Sequence, residues 1–438
     1  MRYNKNGKEL NNMTYYTEPA KKLVLNEEYD LIVVGSGPSG IASAVTAGRH
    51  GIRTLLIESQ GTVGGIATAG LMSHFTGYCG SALFHEILDR MEKENIFPMK
   101  EKIYIEPETL KGIYFKMLDE AGVDVLLYTF ACGVIVEENT LKGIIVENKS
   151  GRSAYTAKAV IDCTGDGDIA ERAGVPYCPG RESDHKMQPA TLMFKVAGVD
   201  TGRAVFPGGF ESLVYTEKGE LQALAKEKLP HPAGHVLLYR SPVPGVVTCN
   251  MTNATGIDGT KAESLTEAEK TCRSQIAPIV SFLREYVPGY ENCYTISSAS
   301  LIGIRETRHF EGVYTLTEND ILDARQFDDA VVFDAFFNFD VHNLTGASLD
   351  ETGCQKHFPQ KKGYTIPYNC MLPKKLDGLL LSGRNISGTH LAHSNYRVMP
   401  ICVGIGEACG AAAAIAIKND ISLRCVSPEE IRRELGRE

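Results

Sequence analysis

The segment YDLIVVGSGPSGIASAVTAGRHGIRTLLIES, Tyr29–Ser59, places three glycines, a proline and an acid where they could grip a diphosphate and a ribose. Gly35 permits a tight turn, Gly37 lets the backbone approach a pyrophosphate, and Gly40 lets a helix lie close on a sheet. Pro38 and Ser39 open that helix, whose unsatisfied N–H groups and positive dipole end suit an anion. Glu58, roughly 20 residues beyond the turn, can accept hydrogen bonds from two ribose hydroxyls. An acid there disfavours a 2′-phosphate, so NADP is not the expected occupant. NAD and FAD both remain open on these residues alone.

A second group of reactive side chains lies near the other end. His390, His393, Tyr396 and Arg397 crowd one short stretch. An imidazole there could act as a general base, and a guanidinium could clamp a carboxylate through a two-pronged contact. The competing reading is structural, with the histidines capping backbone groups and Arg397 pairing with an acid. His74, in a Gly-rich segment, is a further base candidate. Arg305 and Arg308 could meet an anionic substrate, although beside Glu306 and Glu311 they are expected to form surface pairs. No metal site is expected: His390-x-x-His393 has no acid nearby in sequence, and Pro232 and Gly234 break His231-x-x-x-His235.

The elements that must hold these groups follow from periodicity. Strands at Leu31–Val34 and Thr54–Ile57 flank the first helix. Helices are expected at Ala82–Asn95 and Pro107–Ala121. Short strands follow at Val123–Tyr128, Cys132–Glu138, Leu141–Asn148 and Ser153–Lys158, the middle ones forming a meander. A further strand from Ala159 stops at the Gly/Asp turn ending in Asp168. From about Ala190 to Lys362 the pattern changes to strands at Thr191–Val196, Val236–Tyr239, Val246–Asn250 and Tyr294–Ser298 around a helix, Thr266–Val287. Phe333–Asp340 reads as a core strand. Leu379–Leu381 is a buried strand, Gly383–Pro400 a loop, and Ile401–Ile417 an apolar, Ala-rich helix. The expected fold class is α/β, a discontinuous Rossmann-type domain (25–189 and 363–438) with an inserted α+β substrate domain (190–362).

At 438 residues and a net charge of −9 without long charged blocks, the chain shows no sign of nucleic-acid or anionic-membrane binding. No apolar run is expected to span a bilayer. The polar N-terminus has no signal-like apolar stretch, and its first two dozen residues are expected to form a mobile arm or a strand-forming extension. Twelve cysteines, none in a CxxC pair, read as reduced thiols of a cytoplasmic protein. That spacing excludes a local redox disulfide and iron–sulfur ligation. A homo-oligomer is compatible with this composition.

The fingerprint, the run VIDCTGDGD (Val160–Asp168), the segment IRETRHFEGVYTLTENDI (Ile304–Ile321) and the closing block from Asp377 to Ala414 together carry a resemblance. They resemble the FAD-dependent oxidoreductases of the glutathione-reductase-type flavoprotein fold, in particular a group of bacterial predicted FAD-dependent oxidoreductases. That resemblance implies bound FAD and fixes no substrate. It implies that Gly35, Gly37, Pro38, Ser39, Gly40, Glu58 and Ser59 hold the adenosine diphosphate half. Gly64, Gly65, Ala67 and Thr68 would pass beside the flavin, and Thr164, Gly165 and Asp166 would support the adenine side. Gly383 and Arg384 would sit near the pyrophosphate or ribityl chain, the chain reading Ser-Gly-Arg where many relatives carry an acid after the glycine.

With a flavin at the start of the closing helix, Pro400 removes one unsatisfied N–H, and those of Ile401, Cys402 and Val403 are expected to face the ring. The helix dipole would then stabilise negative charge on reduced flavin, with Gly404 and Gly406 admitting the ring. The implied activity is hydride transfer between a small polar substrate and flavin N5. The alternatives are a flavin-bearing electron-transfer subunit of a larger complex and a NAD-binding enzyme.

Overall fold

The computed structural model describes residues 16–94, 103–347 and 360–437. Most of the N-terminal arm, Asn95 at the end of one expected helix, and Cys354 lie outside the described residues. The arm's described end does form a strand, β1 (Val24–Leu25).

A parallel sheet organises the larger body. β2 (Tyr29–Val34) lies between β3 (Thr54–Ile57) and β7 (Gly151–Asp162), and β4 (Asp124–Leu126) extends the far edge beyond β3. Helix α1 (Pro38–Arg49) makes the crossover between β2 and β3. β5 (Phe130–Glu137), β6 (Thr140–Asn148) and β7 form the antiparallel meander. β7 is one strand of twelve residues where the periodicity suggests two shorter ones. Its first half pairs with β6 and its second with β2, so a single element joins the meander to the nucleotide sheet. β8 (Leu379–Leu381) returns to pair with Val160–Asp162 of β7.

This is the expected α/β class. The strands of the parallel layer, LIVV and TLLI, are apolar on both faces, as strands buried on both sides are. Their burial is nearly complete, with Leu31, Ile32, Val33 and Leu56 fully inaccessible.

The closing helix, Met399–Asn419, packs along α1. It is long and apolar enough to cross a membrane, against the expectation that no run is, but 94% of its apolar stretch is buried inside the protein. Small residues explain its close approach. A Cβ on Gly406 would fall 2.2 Å from the Ser39 carbonyl oxygen, and one on Gly410 would fall 2.5 Å from that of Ser43. Ser43 Oγ in turn donates to the Gly406 carbonyl at 3.0 Å.

A second body has its own core. Strands Leu238–Arg240, Val247–Cys249, Phe194–Ala197 and Tyr294–Ser298 pair antiparallel in that order, with helix Ala262–Tyr286 packed on them. Phe194, Val196, Val247, Leu283 and Tyr290 form its centre. Phe310, Leu316, Ile321, Val331 and Phe339 instead bury in the larger core. The aromatic segment is a strand only over Ala330–Ala335, and Asp334 takes a left-handed φ of 50° there. The expected loop Gly383–Pro400 holds a 3-10 turn, Gly383–Asn385, and a helix, His390–Tyr396, capped by the Thr389 side chain. Every cysteine among the described residues is a free thiol, and most are buried.

Candidate functional site

The first glycine turn is built as a cradle. Gly35 holds φ at +95°, and a Cβ there would meet the Cys163 carbonyl oxygen at 2.5 Å, so no other residue fits without strain. A Cβ on Gly40 would lie 1.8 Å from the Gly35 carbonyl oxygen. On Gly37 it would meet no protein atom within 4 Å: that face of the backbone is open. The first helical hydrogen bond is donated by Ile41 to the Gly37 carbonyl, so the N–H groups of Ser39 and Gly40 precede the intrahelical ladder. Gly64 donates to the Ser36 carbonyl at 2.8 Å. Gly65 crosses against Gly37, the site of its Cβ being 3.0 Å from the Gly37 Cα. The 3-10 turn Gly65–Ala67 and Thr68, whose hydroxyl donates to the Val63 carbonyl, continue away from that crossing.

Glu58 is buried at the end of β3 and is fully engaged by the protein. Its Oε2 accepts from Ser36 N–H (2.9 Å) and Ser36 Oγ (2.7 Å). Its Oε1 accepts from Ser59 Oγ (3.1 Å) and Gln60 N–H (2.8 Å). Four bonds fill the in-plane capacity of a carboxylate, so a ribose hydroxyl must displace a serine hydroxyl to reach it.

The returning loop hangs on Asp162, which sequence reasoning passed over. Burial pushes its carboxyl up to about 6. Its oxygens accept from Thr164 N–H and Oγ and from the N–H groups of Ile169 and Ala170. Thr164 is thereby a loop anchor. Beside it, Arg384 Nη2 donates to Asp166 Oδ1 at 3.1 Å and Nη1 donates to the Ile304 carbonyl at 2.6 Å. Thr307 Oγ also donates to Asp166, at 2.9 Å. Gly165 admits the guanidinium, because a Cβ there would lie 2.5 Å from Arg384 Nη2. Asp166 and Arg384 keep 23% and 22% of their side chains accessible, yet burial is the largest influence on Asp166, raising its carboxyl. Groups reachable by water but crowded by protein line a recess rather than an outer surface.

Gly383 lies against Ser39, and the Ser382 and Ser39 hydroxyls hydrogen-bond at 2.6 Å, bringing this turn to the start of α1. The closing helix begins nearby, with Pro400 in its first turn. Only part of the expected row of free donors survives: Cys402 N–H donates to the Val398 carbonyl at 3.0 Å, and Val403 falls within the regular ladder. Ile401 remains in the first turn. Nor do the helix glycines face a ring. A Cβ on Gly404 would meet Cys79 Sγ at 2.4 Å, and Gly406 faces α1. Their small size serves helix packing.

The second cluster is buried, not superficial. Glu306 Oε1 accepts from His309 Nε2 at 2.8 Å and from His390 Nδ1 at 2.5 Å. Burial would raise the Glu306 carboxyl, but the hydrogen bonds from His309 and His390 hold it well below the usual range. His309 Nδ1 faces the Gly388 carbonyl at 3.1 Å, so both its nitrogens meet acceptor oxygens. The acid missing from the sequence neighbourhood of His390 thus comes from the segment around residue 306. Glu306, His309 and His390 offer ligand-type atoms within 4.8 Å of one another.

His393 packs edge-on to His309 at 5.0 Å, and its buried Nδ1 has no partner. Burial lowers its basicity far below that of free imidazole. Arg397 Nη2 donates to Asp340 Oδ2 (3.0 Å) and to the Asp340 carbonyl (2.9 Å). Arg308 bonds Asp168 at 3.0 Å, and Arg305 donates to the Pro189 carbonyl and Thr191 Oγ. The expected surface pairs with Glu306 and Glu311 therefore do not form. The true partners are distant in sequence. His74 lies elsewhere, its ring 4.9 Å from that of Tyr239, and burial lowers its pKa to about 4.

Fold, open turn and recess define a dinucleotide-type flavoprotein scaffold. The profile of the family described as "FAD dependent oxidoreductase" matches residues 30–435, and the chain belongs to that family. FAD is accordingly the cofactor of this chain. Among curated relatives, digeranylgeranylglycerophospholipid reductase 1 of Methanococcoides burtonii is 26% identical over 42% of this chain and 51% of its own length. Glutathione reductase of Yarrowia lipolytica is 28% identical over 35% of this chain and 34% of its own length. The chain thus spans about half or less of the length of these relatives. The structure of the flavin-dependent brominase Bmp2 aligns with a TM-score of 0.50 at 11% identity, covering 94% of this chain and 83% of that one, which shows a shared fold.

Proposed function

We propose that the chain is an oxidoreductase that moves a hydride between a small polar organic substrate and flavin N5. The observation that carries this reading is the open Gly37 backbone at the start of α1, crossed by Gly65, in a chain of an FAD family. When bound, FAD supplies the two-electron partner.

The chain's own residues supply the rest. Ser39 and Gly40 N–H groups meet the pyrophosphate, and Glu58 takes the ribose by releasing a serine hydroxyl. Asp166 and Arg384 line the adjoining recess. Glu306 fixes a proton on His390 Nδ1, which leaves Nε2 to accept one from a substrate hydroxyl or amine as hydride departs. We assign 190–304 to the substrate domain, drawing the boundary nearer than 362 because the following residues bury in the larger core. The free thiols suit a reducing compartment such as the cytoplasm.

The test is Gly37→Ala. With open space around the new Cβ, the apoprotein should keep its stability within about 0.5 kcal/mol, while FAD content falls at least tenfold. A purified wild-type chain that takes up no FAD would defeat the proposal. Turnover by the isolated chain distinguishes an enzyme from an electron-passing subunit.

A further inference from the structure

We propose that the seam between the two cores is a binding site for a small hydroxycarboxylate, held through its carboxylate by Arg305 and Arg397. This deepens the oxidoreductase reading, on which it rests for the choice of substrate class. The seam brings Arg397, at the foot of the closing helix, to the second body, and Ser300 N–H ties that body to the Gly-rich segment through the Ala69 carbonyl at 3.0 Å.

The donors without acceptors come first. Arg397 Nε and Gln188 Nε2 are buried and have no partner. Gln188 Oε1 accepts from His342 N–H at 3.1 Å, which fixes the amide and turns its NH₂ away from that bond. One carboxylate serves this end: Asp340 pairs with Arg397 at 3.0 Å and with His342 at 3.3 Å, while Arg305 donates to the Pro189 carbonyl and Thr191 Oγ. Burial depresses Arg305 to about 10, with Arg397 the next cause, as two crowded cations require. Asp340 balances one of the two, and Glu306, the other carboxylate acting on Arg397, is already shared by His309 and His390. Buried donors and an uncompensated cation cost free energy unless an anion meets them. Asp340 and Arg397 also retain 25% and 12% accessibility, although burial is the largest influence on both. They therefore line a recess.

Orphaned acceptors sit on the same wall. His235 Nε2 faces the Asn250 carbonyl at 3.0 Å and so carries the proton, which leaves Nδ1 as a lone pair without a partner. Burial holds His235 at about 3, so that lone pair is available throughout the neutral range. Asn250 Oδ1 is also unpartnered. Phe210 links this wall to the anion end, its ring 5.1 Å from His235 and 5.4 Å from His342. Two acceptors call for a donor on the ligand. Beside two arginines an ammonium is repelled, so the donor is a hydroxyl. One molecule with a carboxylate and a hydroxyl satisfies both ends; a phosphate satisfies only the first.

Calorimetric titration of the FAD-loaded full chain with glycolate, L-lactate and L-malate tests the site. At least one should bind, ten times or more tighter than its methyl ester and tighter than the analogue lacking the hydroxyl (succinate for malate). Arg305→Gln should weaken that binding tenfold or more with the flavin spectrum intact. If this variant does not fold, Gln188→Leu should weaken it by a smaller factor. Absence of binding by all three acids, equal binding of acid and ester, or unchanged binding in the variants overturns the site. Aspartate binding as tightly as malate overturns the hydroxyl assignment. A chain that binds an acid but holds no FAD leaves this site standing and removes only the oxidoreductase reading.

Discussion

Glu306 shows how much a single buried carboxylate can organise. Its side chain is fully inaccessible, and it holds the rings of His309 and His390 through one oxygen, while Oε2 accepts Gln188 N–H at 3.1 Å. Removing its charge takes away the carboxylate oxygen that both rings share. Glu306→Gln should therefore cost about 3–5 kcal/mol, the usual penalty for breaking a buried pair from one side. The sign with pH follows from the depressed folded value. The carboxylate contributes its full stabilisation above the ordinary glutamate range near 4.5 and loses it as pH falls below that range. Urea titrations from pH 7 to pH 3 should show the gap between wild type and variant narrowing with acid. A gap that is constant with pH would show that the charge is not what stabilises the pair.

At the scale of elements, contact between helix α1 and the closing helix sets the cradle. Gly406→Ala drives a Cβ onto a backbone oxygen, 2.2 Å from Ser39, and onto the Ala42 methyl at 2.9 Å. Neither can move without shifting the helix. The expected cost is about 1–3 kcal/mol, and because Ser39 belongs to the pyrophosphate cradle, FAD affinity should fall with it. Gly112→Ala, in helix Pro107–Glu120 with no atom within 4 Å, is the contrast: it should stabilise by about 0.5–1 kcal/mol. Thermal melts of both variants, with and without FAD, check the pair.

Local pattern made α1, its flanking strands and Leu379–Leu381 legible, since apolar runs bounded by glycine need no distant partner to be read. The helix His390–Tyr396 was not legible, because HLAHSNY lacks an apolar face and its burial depends on Glu306, Glu182 and Tyr364 contacts made across the fold. Arg305 and Arg308 were misjudged for the same reason: the nearest acids in sequence were not the nearest in space. The strand end at Ala335 was likewise hidden, since FDAFFNFD continues to alternate after the backbone has turned at Asp334.

The two main hydrophobic centres among the described residues are unequal in size, a third and smaller one gathering Leu192, Ala268 and Cys272, and the main two should answer differently to ligands. On the proposed site FAD binds the larger through α1, β7 and the Gly-rich segment, while Phe194, Val247 and Tyr290 hold the smaller together independently. Chains with separate cores depart from two-state unfolding, so calorimetry of the apoprotein should resolve two transitions. FAD at a hundred times its dissociation constant adds about 2.7 kcal/mol to whatever unit it binds. It should move the transition of the larger core upward and leave the other in place. A hydroxycarboxylate at the seam touches Arg397 and Arg305 from one body and His235 and Asn250 from the other, so it should raise both transitions together. If FAD alone moves both equally, the two cores unfold as one unit and the seam carries more coupling than its contacts indicate. If the acid moves only the transition of the smaller core, the ligand sits within that core and Arg397 has no part in holding it.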